Sequence, residues 1–145
     1  MEENLSIIKE IHQQIGEKNI DIRTYSPLTL AYIGDAAYEI VIRTLIVEKG
    51  QQAVHALHKQ TTKIVCASTQ AAMAEALQDV MDEKELDVYR RGKNSKINSS
   101  AKNMSLEDYR KATGFEAVCG YLYLQQDTSR IVELVKLGLD RLGLM

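Results

Sequence analysis

The sequence predicts an all-α protein, a compact helical bundle organised around one central helix. Three observations predict it. Apolar residues recur at helical spacing along the chain, the longest apolar runs begin at helix-capping residues, and a single proline with no low-complexity tract leaves no linker to split the 145 residues. One domain spanning 1–145 is expected, with enough apolar content for a real core.

The central helix runs from Ser26 to Gly50. Ser26 can cap its N-terminus, Pro27 suits the first helical position, and Gly50 can close the end. Its middle is apolar around most of its circumference, from Leu28 and Leu30 through Ile33, Ala36, Ile40 and Ile42 to Ile46, the pattern of an enclosed helix rather than a surface one. Gly34, Asp35 and Glu39 interrupt it. A glycine inside a helix costs about 1 kcal/mol against alanine, and an unpaired buried carboxylate costs more. Asp35 and Glu39 are four apart and share a face. Two acids on an oily helix suit a hard cation, and Gly34 suits a second backbone passing close by. Equally, the acids can reach solvent or pair with Arg43, four residues beyond Glu39.

Before this helix, Leu5, Ile8, Ile11 and Ile15 mark a first amphipathic helix that Gly16 can stop. After it, a short helix is expected from Gln51 to His58 and a long, alanine-rich one from Thr61 to Leu77. His55 and His58 are three apart, but no third donor stands nearby for a zinc site. Asp82 with Glu85 forms a capping box for a helix through Tyr89 that ends at Gly92. A long helix from Ser105 to Gln126 and a final amphipathic one from Thr128 to Leu142, with Ile131, Leu134, Val135 and Leu139 inward, complete the bundle.

The helix that begins at Ser105 repeats the logic of the central one. Glu116 interrupts an apolar run from Phe115 to Leu124, and Gly120 follows four residues later on the same face. If the two glycine-bearing faces cross, Asp35 and Glu116 meet at the crossing.

A formal net charge of −2 does not advertise a nucleic-acid binder, so the local distribution of charge has to carry that case. Between Val88 and Leu106 the chain turns basic, with Arg90, Arg91, Lys93, Lys96 and Lys102 among Asn94, Asn98, Asn103 and serines, and no acid. Composition alone fits a solvated loop. Lys and Arg mixed with Asn and Ser also make a good grip for a sugar-phosphate backbone. Cys66 and Cys119 lie far apart in apolar helical patterns and read as reduced core residues. The N-terminus starts acidic without the apolar block of a signal peptide, and no stretch is fit to span a membrane, so a cytoplasmic protein is expected.

Taken together, LAYIGDAAYEIVIR resembles the signature helix of the ribonuclease III catalytic domain, and ATGFEAVCGYLYL resembles its second acidic motif. HKQTTKIVCASTQAAMAEAL, RRGKN and KN lie between them in the order found in the short Mini-III branch, bacterial enzymes made of the catalytic domain alone. The likeness covers nearly the whole chain. It implies an all-helical homodimer that cuts double-stranded RNA with Mg²⁺, for which Mn²⁺ can substitute, to leave 5′-phosphate and 3′-hydroxyl ends. Maturation of large-subunit ribosomal RNA precursor is the role associated with that branch.

By position, Asp35 matches the signature-helix metal ligand and Glu116 the essential glutamate of the second motif, with Glu39 as a weaker contributor through water. The larger family carries further acids where this chain has Ala31 and Thr113. Arg90, Arg91, Lys93, Asn94, Lys96 and Lys102 are the candidates for holding RNA, with His58, Lys59 and Lys63 as weaker ones. The chain ends just after its last helix, so no separate double-stranded-RNA-binding domain is expected. Two rivals remain: a non-catalytic RNA-binding module of the same fold, which would bind without cutting, and a helical interaction protein whose acids serve ion pairs.

Overall fold

A computed structural model of the chain describes residues 7–95 and 105–145. Among the described residues there are seven α-helices, one 3₁₀ turn at Ile22–Thr24 and no strand. The helices are α1 (Ile7–Gln14), α2 (Pro27–Val47), α3 (Val54–Val65), α4 (Ala67–Ala76), α5 (Glu83–Lys93), α6 (Leu106–Leu124) and α7 (Thr128–Leu142). Leu5, Lys96, Asn98, Lys102 and Asn103 lie outside the described residues.

The caps fall where side-chain chemistry puts them. The Ser26 hydroxyl accepts from the Thr29 amide, Ser105 from the Asp108 amide, and Asp82 and Glu85 complete a reciprocal capping box. At the centre, α2 crosses α6, and α4 and α5 also pack on α6. From Ala112 to Gly120 every residue of α6 except Glu116 is buried. Around it gather Tyr38, Ile42 and Ile46 from α2, Met73 from α4 and Leu77 from its C-cap, and Leu134 and Val135 from α7.

Two close approaches of backbone set this arrangement. A Cβ on Gly34 would lie 1.7 Å from the Glu116 carbonyl oxygen, and one on Gly120 would lie 1.9 Å from the Leu30 carbonyl oxygen. The α2/α6 crossing therefore exists only with glycine on both sides. A second pair, Gly92 and Gly114, seats α5 on α6, where a Cβ on Gly92 would lie 2.9 Å from the Gly114 Cα. Gly92 is thus a packing residue inside α5, which continues to Lys93 instead of ending at the glycine.

Three further expectations are corrected. The first helix buries only Ile8; it ends at Gln14, and Ile11 and Ile15 face solvent because two turns of helix cover little of the bundle. The helices expected at 51–58 and 61–77 are instead α3 and α4, broken at Cys66, whose backbone is extended (φ −68°, ψ 160°). The break costs little because side chains take up the last carbonyls of α3. Tyr38 Oη donates to Ile64 O (3.0 Å), Gln70 Nε2 to Val65 O (3.1 Å), and Thr69 Oγ1 to Lys63 O (2.7 Å). Finally, α2 is not enclosed all round: Leu28, Tyr32, Ala36, Ile40 and Val47 lie exposed along one side of it. Both cysteines are free, Cys119 buried and Cys66 partly so.

Candidate active site

The crossing of α2 and α6 brings two carboxylates together. Asp35 follows the close-approach glycine of α2, while Glu116 sits one turn before Gly120 on α6. Beside them, Tyr38 and Phe115 meet edge to face, with ring centroids 5.2 Å apart and planes at 87°. Such a pair contributes about 1 kcal/mol beyond its buried area. More usefully here, it fixes the rotation of each helix, since Tyr38 is three residues from Asp35 and Phe115 adjoins Glu116.

Asp35 is exposed at the rim and Glu116 is partly buried. Burial pushes the Glu116 carboxyl up to about 8; its hydrogen bond to Asp35 and the charge of Asp35 push the same way, and a hydrogen bond to Gln70 pulls it back. None of the ion pairs formed among the described residues includes Asp35 or Glu116. The two facing carboxyls, with the neutral Gln70 amide beside Glu116, form a hard-oxygen donor set that no cationic side chain among the described residues joins.

Glu39 is differently employed. Its carboxylate accepts from Arg43 Nε and Nη2, both at 2.6 Å, the i,i+4 pairing available on this helix. Ala31 and Thr113 are buried, and the Thr113 hydroxyl donates back to the Tyr109 carbonyl at 3.0 Å. Among the described residues, no group of three His, Cys, Asp or Glu is placed to hold a metal. The donor set at the crossing is therefore a pair, completed by whatever else a cation brings with it.

The basic residues lie elsewhere. Arg90 and Arg91 line a cleft of about 720 Å³ between the 3₁₀ turn, α5 and the end of α6, together with Arg23 and Lys84. Neither Asp35 nor Glu116 lines it. Arg90 pairs with Asp87 (2.8 Å), Lys93 lies 3.8 Å from Glu107, and Asn94 is the exposed C-cap of α5. His58, Lys59 and Lys63 are exposed on α3, His58 in a groove it shares with Arg43. Gln70 escapes a reading of spacing, although one signal pointed to it: a lone amide in the apolar sequence TQAAMAEAL, as anomalous as Asp35 in its own helix.

The Ribonuclease III domain family matches residues 28–127, a span that includes both carboxylates. The chain is similar to the Mini-ribonuclease 3 of Clostridium tetani, 49% identical over 121 residues, covering 83% of this chain and 80% of that protein. It is 44% identical over 119 residues to the Mini-ribonuclease 3 of Thermoanaerobacter sp. (82% of this chain, 84% of the relative). With that of Enterococcus faecalis it is 40% identical over 125 residues (85% and 95%). A crystal structure of a protein from Fusobacterium nucleatum superposes with a TM-score of 0.77 at 29% identity, covering 84% of this chain and 99% of that one.

Proposed function

The chain belongs to the ribonuclease III family, and from that premise we propose that it is a Mg²⁺-dependent endoribonuclease that cuts both strands of an RNA duplex, with Asp35 and Glu116 as its metal-holding catalytic pair. The observation that carries the reading is the facing of these two carboxylates with no cationic side chain among the described residues between them. Holding two carboxylates against each other is unfavourable unless a proton or a cation joins them. Mg²⁺ fits such a site, since it is commonly held by one or two carboxylates and keeps water and substrate phosphate as its other ligands; Mn²⁺ can substitute.

When bound, the ion supplies a more acidic water for attack on phosphorus and neutralises charge on the scissile phosphate and the departing 3′ oxygen. The residues themselves do the positioning. Glu116 gives up its proton to become a ligand, so cation and proton compete for it. Asp35, at the rim, is the carboxylate nearer the substrate side. Glu39, held by Arg43, is available for contact through water. The products are a 5′-phosphate and a 3′-hydroxyl.

Arg90, Arg91, Lys93 and Asn94, with Lys96 and Lys102, are assigned to the RNA backbone, and His58, Lys59 and Lys63 form a second, weaker set. The exposed pairs of Arg90 and Lys93 contribute little to stability, so phosphate can displace their partners. A-form RNA offers phosphates and 2′-hydroxyls along a shallow minor groove, which suits recognition by shape. The open stripe of α2, with Tyr32 82% exposed beside Asp35, supports a homodimer that brings two carboxylate pairs to one duplex. The reading includes a single catalytic domain over 1–145, a cytoplasmic site of action, and large-subunit ribosomal RNA precursor as substrate. No helix among the described residues is long and apolar enough to cross a membrane.

The test is incubation of a labelled RNA duplex with the wild type, Asp35→Asn and Glu116→Gln, each with Mg²⁺ and with chelator. Cutting by the wild type only with the metal is expected, and full cutting by either variant removes that residue from the assignment. Binding without cutting by the wild type turns the reading into that of a non-catalytic module. Sedimentation of Tyr32→Glu against the wild type tests the dimer; an unchanged dimer excludes the α2 stripe as its interface.

A further inference from the structure

The cleft of about 720 Å³ between the 3₁₀ turn, α5 and the end of α6 combines two kinds of lining. Its apolar part includes the buried Leu30 and Val88, and Tyr121, partly buried on α6, is the one aromatic ring that lines it. Four cations line it as well. Arg23 is forked onto Asp21 (Nε to Oδ1 at 3.1 Å, Nη2 to Oδ2 at 2.7 Å), and Arg90 is held by Asp87 at 2.8 Å. Lys84 and Arg91 enter none of the ion pairs formed among the described residues. They stand on one face of α5, two turns and about 10 Å apart along its axis. Of the acids in the cleft, Asp21 and Asp87 are engaged by arginines, and only Glu83 is left to set against these two cations. We infer that the cleft binds a nucleoside phosphate, its base on the apolar lining beside Tyr121 and its phosphate on Lys84 and Arg91, and that the unpaired strand flanking the RNA duplex supplies it. This deepens the reading of Arg90 and Arg91 as RNA contacts and rests on it.

Shape decides between paired and unpaired RNA. A duplex can lie across the mouth of such a cleft, but its stacked and paired bases cannot enter. An unpaired base can be splayed out and offers its face, and volumes of about 300–1,000 Å³ are those that small ligands occupy. Neither Asp35 nor Glu116 lines the cleft, so the nucleotide it takes is not the one that is cut. Cations alone would suit any phosphate. The apolar lining and the ring match what a bare phosphate lacks and a nucleobase has, a flat face to be taken out of water. Arg23 and Arg90, steadied by their acids, keep further N–H groups for the same strand. A protein built this way prefers a duplex with single-stranded neighbours to a blunt one.

The test is binding in chelator, where nothing is cut. One labelled RNA duplex is used blunt, and with about five unpaired, non-complementary nucleotides extending each strand end. Wild type is expected to bind the flanked form about fivefold or more tightly, and to lose most of that gain when the flanks are abasic, which keeps the phosphates and removes the bases. Lys84→Glu is expected to fold, since Lys84 is exposed in the first turn of α5, where an acid suits the helix N-terminus. Its ratio of flanked to blunt affinity is expected to fall to about one, whereas a merely general loss of positive charge would weaken both forms alike and leave the ratio as in wild type. An unchanged ratio in Lys84→Glu, or abasic flanks that bind as tightly as complete ones, would overturn the inference. AMP and inorganic phosphate, each added alone, separate the sources. A rise in thermal midpoint with AMP but not phosphate, dependent on Lys84 and without any preference for flanks, would overturn the unpaired strand as the source and give the cleft to a free nucleotide. Blunt and flanked duplexes bound equally, with no response to AMP, remove the cleft alone. A wild type that binds neither duplex and does not respond to AMP removes the parent reading and this one together.

Discussion

Glu85 and Glu116 are both drawn out of water by the same bundle, and they are treated in opposite ways. Glu85, 2% exposed, accepts from Arg130 Nε and Nη2 at 2.8 Å each and from the Asp82 amide at 2.9 Å. Arg130 reaches further, to the Val80 carbonyl at 3.0 Å and to Glu133. The first carboxylate has a cation and a backbone donor. Glu116 has another acid and a neutral amide, and its carboxyl is pushed up to about 8 by burial first and by Asp35 second. On the proposed reading, the contrast separates a carboxylate that ties helices together from one kept ready for a ligand that comes from outside. Burial alone marks neither; the partner does.

Four measurements break or sharpen the contrast. Gly34→Ala has the largest expected effect, because the new methyl meets backbone atoms at 1.7 and 2.6 Å that cannot swing away. A loss of about 3 kcal/mol or more in denaturant unfolding, with cleavage abolished, is expected. Survival of both would mean that the crossing is not what brings the acids together. Next, Arg130→Met leaves Glu85 buried without its cation and is expected to cost about 3 kcal/mol, while kcat per folded molecule stays at the wild-type value. Loss of cleavage well below the melting point would erase the distinction between the two glutamates.

Glu116→Gln reverses that pattern. Cleavage is expected to fall about a hundredfold, roughly 2.7 kcal/mol of barrier, while the thermal midpoint in chelator at neutral pH rises because the cost of burying an acid that has to hold on to its proton has gone. A lower midpoint would show the charge to be structural. The effect of a single pH step is the smallest, on stability in chelator. The native state holds a proton on Glu116 that the unfolded chain releases near its ordinary value of 4.5. This contribution is present below that value and is lost as pH rises toward about 8, with a slope of at most about 1.4 kcal/mol per pH unit. Stabilisation by added Mg²⁺ grows over the same window, since the competing proton leaves. Unfolding midpoints measured across this range should lose that component in Glu116→Gln.

Much of this was legible from residue types that contradict their surroundings. Gly34 next to Asp35, and Glu116 followed by Gly120, each break an apolar helix at a cost, and the two interruptions explain each other once the helices cross. The caps at Ser26, Asp82 and Ser105 were legible because capping is local chemistry. The break at Cys66 was not, because nothing at that position forbids a helix. What permits the bend is a set of side chains, Tyr38, Thr69 and Gln70, that reach the freed carbonyls from up to 26 residues away in sequence. The open face of α2 was equally hidden, since periodicity reports that a side is apolar and not what covers it.

The contact between the backbones of α2 and α6 has one more consequence. Because main-chain atoms rather than pliable side chains hold the acids at their spacing, warming cannot spread them gradually. Catalysis should persist up the temperature scale until the bundle melts as a unit, and rate and circular dichroism should then collapse together within a few degrees.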